Sequence, residues 1–184
     1  MDRPEYGRDA PVQHSWPDLT CYGCGPANER GLQLQSYLGP DDERLVATVD
    51  PDATFNSGAP NVMYGGHVAS LLDCHSIWTA ITFAYRAADR SLGSSPRIGY
   101  VTGRLRVDYR APTPLDRPVH LRAWVDGDVG RKTTVRSELG PVGETTASGE
   151  VRAVRADPDE DTHHRRADRP AGGTPSDRGD ADDG

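Results

Sequence analysis

The stretch YGGHVASLLDCH, residues 64–75, decides the fold. Two glycines open it, and an apolar run follows: Val68, Leu71, Leu72, then Ile77 and Trp78. Apolar residues occupy nearly every face from about Gly66 to Tyr85 or Arg86, which predicts one long buried helix. Its single carboxylate is Asp73. An unpaired carboxylate in such a place is expensive, so Asp73 is either capped by its neighbours or kept for chemistry.

On the C-terminal side the period changes to two after a linker, RAADRSLGSSP, residues 86–96. IGYVTGRLRVDYRAP, residues 98–112, reads as a long strand with Val101, Gly103, Leu105, Val107 and Tyr109 on one face. PVHLRAWVDGDV follows, with Val119, Leu121, Ala123 and Val125 alternating. Gly130 marks a tight turn before RKTTVRSEL, and a GPVGE turn precedes TTASGEVRAVRA. On the N-terminal side, LQLQSYL and ERLVATVD read as two further strands, and residues 52–64 as a loop. The order predicts an α+β architecture: five or six antiparallel strands wrapped around one central helix. An all-apolar helix still needs a second layer on its open side, most simply another copy of the chain.

Length and composition bound the rest. A chain of 184 residues suggests one domain. We divide it into an arm (1–20) anchored by Trp16 and Leu19, a folded body (21–156), and an acidic tail (157–184). The tail lacks Ile, Leu, Val, Phe, Tyr and Trp, so it is expected to be disordered. It carries nine acidic and four basic residues, −5 of the formal −7. The body is therefore near −2, which argues against a nucleic-acid footprint. No apolar run is long enough for a membrane span, and no signal-peptide core is visible. The three cysteines, Cys21, Cys24 and Cys74, then fit a reducing cytoplasm. Cys21-x-x-Cys24 lacks the second cysteine pair of a structural zinc site. A tight turn into the first strand is the preferred reading, with neither metal nor cofactor.

Three motifs in this order resemble the hot-dog fold acyl-thioester hydrolases, in their phenylacetate-pathway-type branch. They are CYGCGPANERGLQL (residues 21–34), YGGHVASLLD (64–73) and VDYRAPTPLDRPVHLRAWV (107–125). The first is similar to a Cys-rich, Asn-x-x-Gly-Leu entry. The second is similar to a His-Gly-Gly followed by an aspartate, with Tyr64 standing where the family has histidine. The resemblance spans about Cys21 to Arg155.

A helix start offers unpaired amides, and glycine lets a ligand approach them. Gly65 and Gly66 thus suit an oxyanion site for a thioester carbonyl; a packing turn is the plainer alternative. Asp73 lies on the same helix face as Gly66, Ser70 and Ile77, but about 10 Å along the axis from Gly66. The resemblance implies a homodimer, or a dimer of dimers, with antiparallel helices that bring one protomer's Asp73 to its partner's glycines. It implies Asp73 as general base or nucleophile. Asn56, with Asn61 competing, is expected either to help polarise the carbonyl or to serve an ordinary turn, and Thr102 either to orient water or simply to favour the strand. Tyr64, His67 and Ser70 are expected near the substrate, Trp78 with Phe83 and Tyr85 along an acyl pocket, and Arg131 and Lys132 at the phosphates of coenzyme A. Wheel angles of roughly 200–240° argue against a same-chain pair of Asp73 with His67 or His75 and leave a contact across a dimer open. The substrate expected is an acyl-CoA or acyl-carrier-protein thioester. A dehydratase or hydratase on the same fold, and a non-catalytic acyl-binding protein, are the alternatives.

Overall fold

The computed structural model describes residues 5–156; the expected disordered tail lies outside them. Six strands form one antiparallel sheet: β1 (Tyr37–Leu38), β2 (Leu45–Val49), β3 (Gly99–Tyr109), β4 (Val119–Val125), β5 (Lys132–Gly140) and β6 (Ala147–Ala156). Their spatial order is β1-β2-β4-β5-β6-β3. The helix, α1 (Gly65–Ala87), lies across the sheet against β3, β4, β5 and β6. This is the α+β hot-dog arrangement expected from the resemblance, with six strands rather than five.

Alternation fixes which strand face meets the helix. Val119, Leu121 and Ala123 of β4 are buried, as are Val135 and Leu139 of β5 and Val151 and Ala153 of β6. Leu71, Leu72, Ala80 and Ile81 of α1 complete that core. Gly149 sits at the crossing, where a Cβ would fall 3.5 Å from Leu72 and 2.6 Å from the Ser137 hydroxyl. A side chain there would wedge helix from sheet.

Two readings of the strands need correction. LQLQSYL yields only the two residues of β1. Its earlier amides serve the cysteine loop instead: Leu32 N–H donates to Tyr22 O and Leu34 N–H to Gly23 O. In β3 the expected alternation breaks at a bulge between Thr102 and Arg104. Thr102 pairs with the buried Ala153, and Leu105 with the buried Val151. One inserted residue shifts the phase: Val101 turns out to solvent, 55% exposed, and Thr102 turns towards the helix. Gly103 occupies the bulge because a Cβ there would lie 2.7 Å from Val154.

The N-terminal arm packs more deeply than its sequence suggests. Val12 and Gln13 are fully buried, and the Gln13 amide brackets Ser36, accepting from its N–H and donating to its hydroxyl. Ser36 Oγ lies 2.8 Å from His75 Nδ1, and His75 Nε2 lies 3.1 Å from Leu45 O. A carbonyl only accepts, so Nε2 carries the hydrogen and Nδ1 accepts from Ser36. Burial holds His75 neutral, its pKa pushed down to about 4. The chain Gln13–Ser36–His75–Leu45 thereby ties arm, helix and β2 together. His75→Ala strands two buried polar partners and leaves a cavity. It should cost about 2–3 kcal/mol in denaturant unfolding and leave turnover per folded molecule unchanged.

Candidate active site

The sheet leaves one stripe of α1 uncovered. Gly66, Ala69, Ser70, Asp73 and Ile77 are all half-buried and follow i, i+3, i+4, i+7 and i+11 spacing. Every other helix position from His67 to Ile81 is buried except Cys74. The stripe faces the edge strand β3, which among the described residues pairs only with β6.

Asp73 and Thr102 meet in this groove. Thr102 Oγ1 donates to Asp73 Oδ1 at 2.6 Å. Burial pushes the Asp73 carboxyl above the ordinary range, the Thr102 hydroxyl draws it back, and the charge on Cys21 adds a further upward push. Among the described residues no cation acts on it. The site therefore holds a half-buried carboxylate whose one hydrogen-bond partner is a neutral hydroxyl.

The helix start forms the second part. No backbone acceptor takes the Gly65 or Gly66 amide among the described residues; the first turn is closed by His67 and Val68 N–H donating to Tyr64 O. Tyr64 caps the helix without a side-chain hydrogen bond, and its ring crosses Gly66 so closely that a Cβ would lie 2.4 Å from it. Gly65 O accepts from the Tyr109 hydroxyl at 2.7 Å, which pins the end of β3 over the helix start. A cleft of about 310 Å³ opens there, lined by Val62, Met63, Gly65, Val68, Tyr109 and Thr113. Ser70 Oγ returns a hydrogen bond to Gly66 O at 2.9 Å, so the hydroxyl sits between the glycines and Asp73.

Other expected residues are placed elsewhere. Asn56 spends its side chain on its own loop, donating to Ala53 O and accepting from Gly58 N–H. Asn61 accepts from Leu115 N–H. Neither amide reaches the glycine pair. His67 is buried with its ring stacked on Phe55, centroids 4.1 Å apart, and burial lowers its pKa. Trp78 is 1% exposed; its ring meets Trp16 edge-on and its Nε1–H donates to Cys24 Sγ. It holds the arm and cysteine loop on the helix and does not line an open pocket of this chain. Tyr85 is also fully buried, while Phe83 is half-buried under Arg86. Arg131 and Lys132 are exposed on the β4–β5 turn. Thr133, the next residue, shares a register row with Ala153 and Thr102, so this turn lies at the Thr102 end of the sheet.

Sequence reasoning did not single out Tyr109 as a site residue, although its motif marked an aromatic before the proline turn. It also missed Cys74, because nothing local joins it to Cys21 and Cys24.

Solved structures share this architecture. A thioesterase superfamily protein from Shewanella loihica PV-4 is 30% identical; the alignment covers 72% of this chain and 98% of that protein, with a TM-score of 0.55. A second thioesterase superfamily protein is 25% identical over 73% of this chain and 60% of its own, with a TM-score of 0.54. A Bacillus halodurans protein solved with CoA is 19% identical over 68% of this chain and 75% of its own, at a TM-score of 0.52, and shares the fold. No family profile and no curated protein matches the chain. The chain belongs to the thioesterase superfamily. Among the described residues no helix is long and apolar enough to cross a membrane.

Proposed function

We propose that the protein hydrolyses an acyl thioester carried on coenzyme A or an acyl carrier protein, in the cytoplasm, as a homodimer or dimer of dimers. The observation that carries this reading is the Asp73–Thr102 pair: a half-buried carboxylate, free of any cation, oriented by one hydroxyl in an open groove. The thioester carbonyl accepts from the Gly65–Gly66 end of a helix, where amides are free and the helix dipole favours negative charge. Asp73 takes a proton from water as the water oxygen bonds to the carbonyl carbon. The C–S bond then breaks, and the proton passes to the leaving thiolate, giving acid and thiol. Attack by Asp73 itself, through an anhydride that water then opens, satisfies the same geometry. Within the superfamily the sequence resembles the phenylacetate-pathway-type branch.

The helix axis supports a dimer. Gly66 and Asp73 of one chain are about 10 Å apart, so one site needs the Asp73 of one protomer and the glycines of its partner. The eleven residues of β3 present an unpaired edge, with Val101 and Tyr109 each 55% exposed, beside the uncovered helix stripe. Such an edge favours pairing with another copy. Sedimentation at micromolar concentration should give at least twice the 19.9 kDa chain mass; an active monomer would contradict the shared site. CoA bound to the Bacillus halodurans protein supports a CoA thioester as the carrier, and Arg131 and Lys132 offer cations for its phosphates.

The rival readings lose support. A dehydratase wants a histidine facing the carboxylate, yet both nitrogens of His75 are engaged within the chain and His67 lies under Phe55. A binding protein with Asp73 locked in an ion pair is disfavoured by its hydroxyl partner.

Thr102→Val keeps shape and removes the donor to Asp73. We expect kcat to fall by about tenfold, as for the loss of one hydrogen bond to a charged group, with KM and melting temperature little changed. An unaltered kcat would remove Thr102 from the mechanism. The reaction itself is tested by following thiol release from short, long and aromatic acyl thioesters.

A further inference from the structure

Three sulfurs converge on the flank of α1. Cys21 and Cys24 border a turn closed by Gly25 N–H donating to Cys21 O at 2.9 Å, and Cys74 reaches it from the helix. The Sγ atoms all lie within 4.8 Å of one another, and Cys21 and Cys74 are 3.8 Å apart. An equilateral triangle with edges of 3.8–4.8 Å has its centre about 2.2–2.8 Å from each corner (edge divided by √3). Zn–S bonds are about 2.3 Å.

The loop is shaped for this approach. A Cβ on Gly23 would lie 2.3 Å from Cys74 Sγ, and one on Gly25 would strike Cys21 N at 2.4 Å and Leu19 O at 2.5 Å. Both glycines are needed for the loop to sit on the helix thiol. Leu32 and Leu34 N–H groups fix the backbone on either side of Gly23. Trp78 Nε1–H donates to Cys24 Sγ at 3.3 Å, the outer-shell hydrogen bond that orients a ligating sulfur.

We propose that Cys21, Cys24 and Cys74 bind one Zn²⁺ as three thiolates, with a fourth position taken by water. The chain thereby has a metal centre that its Cys-x-x-Cys pair alone could not supply. Metal binding releases the protons of the ligating thiols. A Cys21–Cys74 disulfide would need an oxidant and would leave both Cys24 and its indole donor without a role. The ion would pin the arm-proximal loop to the helix one residue from Asp73. The proposal stands independently of thioester hydrolysis.

The test uses the untagged full-length chain, purified with reductant. Metal-free protein titrated with Co²⁺ should develop sulfur-to-cobalt charge-transfer and tetrahedral d–d bands that saturate at one equivalent, and Zn²⁺ should bleach them. Zinc should protect all three cysteines from maleimide in mass spectrometry, and chelation should expose them and lower the melting temperature. Cys24→Ser removes a ligand and should weaken Co²⁺ binding by more than the roughly 10–100-fold that loss of an outer hydrogen-bond partner costs; if it fails to fold, the wild-type titration decides alone. Absence of the charge-transfer band with three free thiols counted, or a Cys21–Cys74 disulfide under these conditions, overturns the site.

Discussion

Asp73→Asn is expected to lower kcat by about 10²–10⁴-fold, the usual contribution of a general base, with KM and assembly nearly unchanged. The substitution keeps size and keeps an oxygen that accepts from Thr102 Oγ1, so the local geometry survives. What disappears is the charge that takes the proton. Stability gives the second readout. Burial raises the Asp73 carboxyl above its ordinary range, which means that the ionised form weakens the fold at neutral pH. The neutral amide should therefore unfold at the same denaturant concentration as wild type, or a slightly higher one. A purely structural aspartate behaves the other way. Its loss would cost about 1–3 kcal/mol, and activity would fall only with the folded fraction. Kinetics and unfolding on one preparation separate these outcomes.

Trp78→Ala is expected to cost about 3–5 kcal/mol, the range for emptying a large aromatic from a core. The indole is 1% exposed, meets Trp16 at 5.1 Å and donates to Cys24 Sγ. Its removal takes away the contact that seats the arm and cysteine loop on the helix. Against a typical domain stability of roughly 5–15 kcal/mol, the variant should melt many degrees lower. Trp78→Phe retains the aromatic volume in part but not the N–H, and should fall between the two. Turnover per folded molecule should hold in both variants. If Trp78 lined the acyl pocket, the signature would differ: altered chain-length preference and KM, with stability close to wild type.

Local pattern made the helix and the four long strands legible. Apolar residues on nearly every face of 66–86 point to burial, and period-two alternation in 119–125 selects the inward face that the structure uses. The antiparallel sheet around one helix follows from that order. Asp73 was legible as the lone carboxylate in an apolar helix, and Thr102 as a hydroxyl on the strand beside it. Their hydrogen bond depends on the bulge at Gly103. An isolated glycine in a strand hints at a bulge, but alternation alone put Val101 on one face with Leu105 and Val107. The arm was underestimated because Val12 and Gln13 belong to a four-residue 3-10 turn too short to show a period. Trp78 was assigned to a pocket because an aromatic on a central helix can face core or ligand, and only the fold of the arm decides. The cysteine triad was illegible for a similar reason: Cys74 is separated from Cys21 by 53 residues.

The most direct test of the account is thiol release from a panel of short, long-chain and aromatic acyl-CoA and acyl-carrier-protein thioesters, run with wild-type protein and Asp73→Asn side by side. The account predicts saturable hydrolysis of at least one member, with kcat/KM on the order of 10⁴ M⁻¹s⁻¹ or above, and its loss by about two orders of magnitude or more in folded, dimeric Asp73→Asn. Folded wild-type dimer that releases thiol from no member, or Asp73→Asn that turns over the best substrate at the wild-type rate, would contradict it.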